Sequence, residues 1–446
     1  MMIVLLDFLI FCNLIIPAMF VARRCLSKGR LEIDHNLLFS IGFIFYCVSP
    51  VIFGLIEFER DSRLFGIWYE FFGKLSDSDL VLYMFGCLGF YASFVFGGTF
   101  GKRIVIRHSL EELRTDQRVL DVFWLMGTVL AGICIYMLSD IFFTGYTTGG
   151  TPAGKGTFTA VNVYLLSLAL IYSVKRQERL GGSARFFRVI INRYFVTYFI
   201  VCILLLSLGG RMWFVSTVLI LMVYRTVYFH PIRLVWFLLF IGGVVVLTPL
   251  FAHIRTGQEI SLEDLLNVVY MKGMFRLLLT ETMFLNAGML DFVKSNEMPL
   301  VAFPKYLVSE LVKIIPSFIF PGKGALIIRH TQDGYSYFGG YGAIHPFIPI
   351  IINFGIIGLA VVPFSLSALL GFLKKGKSYL ARVMYVMITG WIAIVFFRDF
   401  NNTIVKLIFE LSIMIPIMIA FMLHIVPTAV EAFKASEGGM RSGRRI

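Results

Sequence analysis

The chain has 446 residues, 58% of them apolar and 15% charged, with mean hydropathy +0.83 and a formal net charge of +13. A soluble domain needs a charged exterior to stay in water, so this balance excludes an ordinary water-soluble fold and predicts an exterior that is mostly lipid-facing. The apolar runs are continuous rather than alternating, which selects helices over a closed barrel as the way to satisfy backbone groups in hydrocarbon.

In chain order, runs suited to crossing about 30 Å of hydrocarbon lie near residues 2–22, 36–56, 79–98, 119–138, 158–174, 194–209, 212–229, 232–252, 347–370, 378–397 and 404–426. The predicted fold is therefore all-α: a polytopic integral membrane protein of about eleven transmembrane helices. Residues 1–252 hold the first eight, 253–346 form one large outer loop, 347–426 hold the last three, and 427–446 are a basic tail. The first run has no basic residue before it and is followed at once by Arg23 and Arg24, the flanks expected of a retained anchor with its N-terminus outside.

Lysine and arginine placement sets the expected orientation. The segments 23–35, 101–118, 175–193, 225–233, 374–382 and the tail hold 25 of the 40 basic residues. Outside 253–346, the opposite side holds only 7. The expectation is N-terminus out and C-terminus in, and this bias accounts for most of the positive charge. Nucleic-acid binding is a poor explanation for it, because the basic residues are scattered over short loops. The six cysteines (Cys12, Cys25, Cys47, Cys87, Cys134, Cys202) lie in or beside apolar runs, so neither a disulfide framework nor a metal site is expected.

The stretch 149–157 comes close to a phosphate-binding loop, but Gly156 stands where that loop needs a metal-binding hydroxyl, and no soluble strand precedes it. A flexible polar loop is the better reading. Within 253–346, apolar residues at helical spacing from Leu262 to Leu290 suit a helix lying on the membrane surface or one packed under its own loop. Arg211, Arg255, Arg276, Arg329 and Arg398 all fall on the expected outer face. Guanidinium forks match phosphate oxygens, although each of these residues also suits ordinary interfacial snorkelling. Acids inside the runs are few, and Lys406 with Glu410 suits an i,i+4 pair. His345 stands where the loop re-enters the membrane and, with Gly355 and Gly358, reads H-x9-G-x-x-G. The imidazole could take a hydroxyl proton or serve structurally, and the glycines could simply allow close helix packing.

Together these features resemble the O-antigen and capsule repeat-unit polymerases of the Wzy type. The resemblance rests on Gly209-Gly210-Arg211 opening a span and on a large outer loop holding Ile315-Pro316-Ser317-Phe318-Ile319-Phe320-Pro321-Gly322-Lys323. It rests also on a Gly/Tyr-rich stretch before the next span and on Arg398-Asp399 at the last outer turn. The His345 string is similar to an element of the related O-antigen ligases, although Pro346 follows here where those carry a polar amide.

The resemblance implies a bacterial inner-membrane glycosyltransferase with a periplasmic loop, periplasmic N-terminus and cytoplasmic C-terminus. It would be inverting and metal-independent, with no cofactor. It would move the growing glycan from undecaprenyl pyrophosphate onto a lipid-linked repeat unit, with membrane lipids and a chain-length regulator as further partners. In that reading Arg211, Arg255, Arg276 and Arg398 stabilise the departing pyrophosphate, and His345 is the leading base, ahead of Glu281 and Asp399. Arg329, Lys323, Tyr335, Tyr337 and Tyr341 are the further substrate-binding candidates. The alternatives are an O-antigen ligase and a transporter or flippase for lipid-linked oligosaccharide.

Overall fold

The structure, a computed structural model, describes residues 2–26, 30–58, 65–104, 117–142, 154–181, 184–208, 211–243, 268–315, 320–326, 334–339, 344–398 and 400–425. The helices are α1 (Met2–Leu26), α2 (His35–Leu55), α3 (Gly66–Phe72), α4 (Asp77–Gly101), α5 (Gln117–Met137), α6 (Lys155–Leu180), α7 (Phe186–Ile190) and α8 (Arg193–Ser207). They continue as α9 (Arg211–Tyr228), α10 (Leu234–Gly243), α11 (Val268–Ser295), α12 (Lys305–Leu311), α13 (Phe347–Phe354), α14 (Gly358–Lys375), α15 (Tyr379–Ile392) and α16 (Thr403–Ile425). Among the described residues the sheet content is one two-residue pair, β1 (Arg30–Leu31) antiparallel to β2 (Ile232–Arg233). Seven of the helices, α1, α2, α4, α5, α6, α14 and α16, are long and apolar enough to cross a membrane, and α8, α9, α10 and α15 include shorter apolar stretches. No disulfide joins the cysteines.

The chain divides into two compact units. The first holds Met1–Val105, Phe214–Lys375 and Val386–Ile408; the second holds Ile106–Trp213, Gly376–Tyr385 and Phe409–Ile446. In the second, α6 packs against α5 and α8. Asn192 caps α8 by accepting the amides of Tyr194 and Phe195, and Asp121 of α5 is held by Arg193, Tyr194 and Gln117. Glu178 at the end of α6 pairs with Arg382 at 3.4 Å.

In the first unit, α4 starts at a capping box formed by Ser76 and Asp79, then runs parallel to α14. Their seam is made of glycine. A Cβ on Gly97 or Gly101 would collide with the carbonyl oxygens of Phe364 and Ala368, and one on Gly371 would sit 2.6 Å from the Gly98 carbonyl. Small residues one turn apart let the backbones touch, which is how helices gain contact where lipid offers no hydrophobic drive. Against this pair sits an aromatic core in which Phe39 of α2 stacks on Phe94 with ring centroids 3.5 Å apart.

Polar contacts sort the ends of this unit. At one end, Lys374 reaches Glu32 at 2.6 Å and Asp34 at 2.8 Å, Arg24 approaches Asp34 at 3.4 Å, and β1 meets β2. Three segments expected on the same side, 23–35, 225–233 and 374–382, therefore meet. At the other end, the Lys294 ammonium donates to the Lys74 carbonyl, and Phe71 packs on Phe338. Asp34 also caps α2 by accepting the Leu37 amide. Burial opposes its charge, yet the neighbouring cations, Lys374 foremost, outweigh burial and hold the carboxyl well below the usual carboxylate range.

Three expectations change in detail. The ninth run, 347–370, is not one helix: it breaks at Gly355 between α13 and α14, with φ +75°. Of the apolar stretch expected from Leu262 to Leu290, the part whose side chains are described does not lie on a surface. As α11 it is buried from Thr282 to Leu290 and packs against α2, α3 and α4. Lys406 and Glu410 fall in a stretch wound as a π-helix from Thr403 to Met414, whose backbone hydrogen bonds run from i to i+5 instead of the α-helical i to i+4.

Gly101→Leu should cost at least about 3 kcal/mol, read as loss of monodisperse protein after detergent extraction. Gly89→Leu on the same helix faces open space and should extract like the parent; equal behaviour would dissolve the seam. Asp34→Asn removes one of the two carboxylates paired with Lys374, leaves Glu32 in place, and should cost about 1–3 kcal/mol in thermal unfolding. Because the folded carboxyl is depressed, that contribution is complete above the unfolded value. It should stay flat from about pH 5 upward and fade only below about pH 4.

Candidate functional site

The site is built where two irregularities in helices face each other. The first is in α2, which widens to a π turn at Ile44–Val48 and so leaves carbonyls outside the regular ladder. Asn286 of α11 donates to the Tyr46 carbonyl, and the Tyr83 hydroxyl of α4 lies 3.0 Å from the Cys47 carbonyl and 2.7 Å from the Asn286 side-chain oxygen. The second is the turn before α13, where His345 is fully buried. Its Nδ1 accepts the Phe347 amide at 3.3 Å, which caps the new helix. Nε2 lies 3.3 Å from the Tyr83 hydroxyl and 3.7 Å from the Cys47 sulfur.

This arrangement assigns the tautomer. With Nδ1 accepting, the neutral ring carries its proton on Nε2 and donates it toward Tyr83, whose own proton then goes to Asn286 or Cys47. Both ring nitrogens are engaged. His345 thus ties α2, α4, α11 and the start of α13 together, and the lone pair that a general base requires is already in use.

The residue before it makes the next link. The Ile344 amide donates to the Arg398 carbonyl at 2.9 Å, joining the end of the long segment to the turn after α15. Arg398 ends the short helix Val395–Arg398 and is partly exposed. Beside this junction lies a small, partly open cleft whose lining includes Tyr306, Tyr337, Ile344, Asn353, Phe400 and Asn401. Asn353 is used internally, accepting the Leu307 amide at 2.8 Å and donating to the Pro349 carbonyl at 2.8 Å. The Asn401 side-chain oxygen has no hydrogen-bond partner among the described residues. It is buried in the lining rather than open to the cleft.

The glycine- and tyrosine-rich stretch is laid across α11. Ser336 and Asn296 exchange two hydrogen bonds, at 2.6 and 3.1 Å, and Gly288 allows the Phe338 carbonyl to approach its backbone. Tyr335 stacks on Phe292 with centroids 6.1 Å apart, and Tyr337 meets the same ring edge-on at 6.3 Å.

Of the residues singled out in the sequence, His345, Arg398 and Tyr337 come together here, with Tyr335 nearby. Lys323 sits on the short helix Pro321–Leu326 and donates to the Ile315 carbonyl. Arg276 and Glu281 are on α11 and Arg211 opens α9, but their side chains lie outside the described residues, as do Arg255, Arg329, Tyr341 and Asp399 altogether. Arg211 belongs to the second unit. Sequence reasoning missed Tyr83, Asn286, Tyr306 and Asn401. A polar side chain set alone in an apolar run was the available signal for Tyr83 and Asn286.

Tyr83→Phe removes the hydroxyl that serves Cys47, Asn286 and His345, and should lower folding stability by about 1–3 kcal/mol in detergent. An unchanged midpoint would show that this hydroxyl carries no load. Comparison of the chain with family models, with curated proteins and with solved structures gave no match.

Proposed function

We propose that the chain is a multi-pass membrane glycosyltransferase of the repeat-unit polymerase kind, acting at the outer face on a glycan carried by a polyprenyl pyrophosphate. The observation that supports this reading is the junction of Ile344 with Arg398. It sets a guanidinium-bearing turn beside a cleft lined by tyrosine and asparagine, at the expected outer ends of apolar helices.

In the proposed step, a hydroxyl oxygen of the acceptor sugar attacks the anomeric carbon of the donor glycan. The bond from that carbon to the pyrophosphate oxygen breaks, both electrons leave with the diphosphate, and the hydroxyl proton passes to a base. Negative charge grows on the leaving diphosphate, and a fixed cation in a water-poor setting stabilises it best. Arg398 is assigned that role, with Tyr337 as a platform for a sugar ring. His345 is assigned to holding the turn, because its nitrogens are already bonded. Glu281 and Asp399 remain the proposed bases.

One observation favours a second reading, a carrier for lipid-linked oligosaccharide: the break between α13 and α14 resembles the interrupted helices that form transporter sites. The two readings separate in cells. Loss of a polymerase leaves single-repeat glycans at the surface, whereas loss of the carrier leaves none.

Arg398→Ala, at parental membrane abundance, should reduce polymerised glycan by roughly 100-fold and leave single repeats on a surface-polysaccharide gel. Arg398→Lys should restore part of the ladder. A full ladder from Arg398→Ala would remove Arg398 from the reaction.

A further inference from the structure

The break in the ninth run is held by a segment that the sequence places outside the membrane. Gly355 has φ +75°, and a Cβ there would lie 2.5 Å from the Leu300 carbonyl oxygen, so only glycine lets the two backbones meet. The amide of Ile356 then donates to the Pro299 carbonyl at 2.9 Å, and that of Ile357 to the Leu300 carbonyl at 3.2 Å.

Helix geometry gives the depth of this contact. The glycine seam sets Ala368 of α14 level with Gly101, the last residue of α4. Gly358 lies ten residues before Ala368, or about 15 Å along the helix axis. A hydrocarbon layer is about 30 Å thick, so Gly358 stands near its middle, and residues 299 and 300 are bonded to the two residues just before it.

At that depth the side chains point outward from the protein. Leu300, Val301 and Phe303 are 70%, 66% and 75% exposed. Their patch runs on into Ile357 and Val361, which are also exposed at the start of α14. Residues 298–304 carry no charge, while Glu297 and Lys305 bracket them. Pro299 and Pro304 remove two N–H donors that hydrocarbon could not satisfy, and the Phe303 carbonyl accepts the Lys305 amide at 2.7 Å.

We infer that residues 298–304 form a re-entrant segment whose Leu300, Val301 and Phe303 side chains lie against the acyl chains of the surrounding bilayer. This rests on the membrane part of the proposed function and is independent of the chemistry. The occupant is lipid rather than water or protein because the patch is uncharged, sits at hydrocarbon depth and continues the outward apolar face of a candidate span.

The test uses full-length Phe303→Trp reconstituted in phosphatidylcholine vesicles whose acyl chains are plain or brominated. Emission is taken as the difference from the parent with its five tryptophans. Phe85→Trp, at a 66% exposed position on α4, is the reference for a span, and Leu300→Trp replaces Phe303→Trp if that variant does not fold. The expected result is a blue-shifted added emission that brominated chains quench as they quench Phe85→Trp, with little loss to aqueous iodide. Quenching of Phe85→Trp by brominated chains with quenching of Phe303→Trp only by iodide overturns the inference and leaves the membrane reading standing. Escape of Phe303→Trp from both quenchers means that a second copy or another protein covers the patch, which also overturns it. Escape of both variants from brominated chains overturns the inference and the membrane reading together.

Discussion

Hydrocarbon offers a backbone no hydrogen bonds, so every departure from regular helix in this chain needs a partner supplied by the chain itself. Two such departures organise the first unit. The π turn of α2 presents the Tyr46 and Cys47 carbonyls, which Asn286 and Tyr83 answer. The break after α13 presents the Ile356 and Ile357 amides, which the Pro299 and Leu300 carbonyls answer. In each case at least one partner, Asn286 for the first and Pro299 with Leu300 for the second, comes from the long segment between α10 and α13, which is why that segment cannot be a detached loop.

His345 stands between the two departures. It caps α13 with one nitrogen and reaches Tyr83 with the other, so the geometry of the break is fixed to the geometry of the π turn. The Ile344 amide extends the same scaffold to Arg398. A partly exposed cation is thereby placed beside a cleft by a rigid, buried set of hydrogen bonds, the arrangement required when a site must present charge without reorganising. The opposite end of the unit is closed by a different device, the Asp34–Lys374 pair, whose charges are buried but matched.

Much of the helical plan was legible in the sequence, because uninterrupted apolar runs have few alternatives. The break in the ninth run was not. Ile350, Ile351, Ile352, Ile356 and Ile357 keep hydropathy high straight through Gly355, and nothing local separates a glycine used for close packing from one used for positive φ. The burial of α11 was hidden by Lys272, Arg276 and Glu281, which made the stretch look amphipathic. Only its contacts with α2 and α4, more than 200 residues earlier for Asn286 with Tyr46 and Tyr83, make it core. Of the site, the bond from Ile344 to Arg398 brought together two places already singled out, the His345 string and the last outer turn. Asn401 and Tyr306 gave no sign, since an asparagine and a tyrosine near a membrane end are ordinary.

The claim on which the rest depends is that the Pro299 and Leu300 carbonyls hold the broken helix. Amide hydrogen exchange of the full-length protein in lipid nanodiscs, read at Ile356 and Ile357, addresses it directly. Protection matching that of α14 is the predicted outcome. Exchange at the rate of an unbonded, water-exposed amide at these two positions, with α14 still protected, would contradict the account.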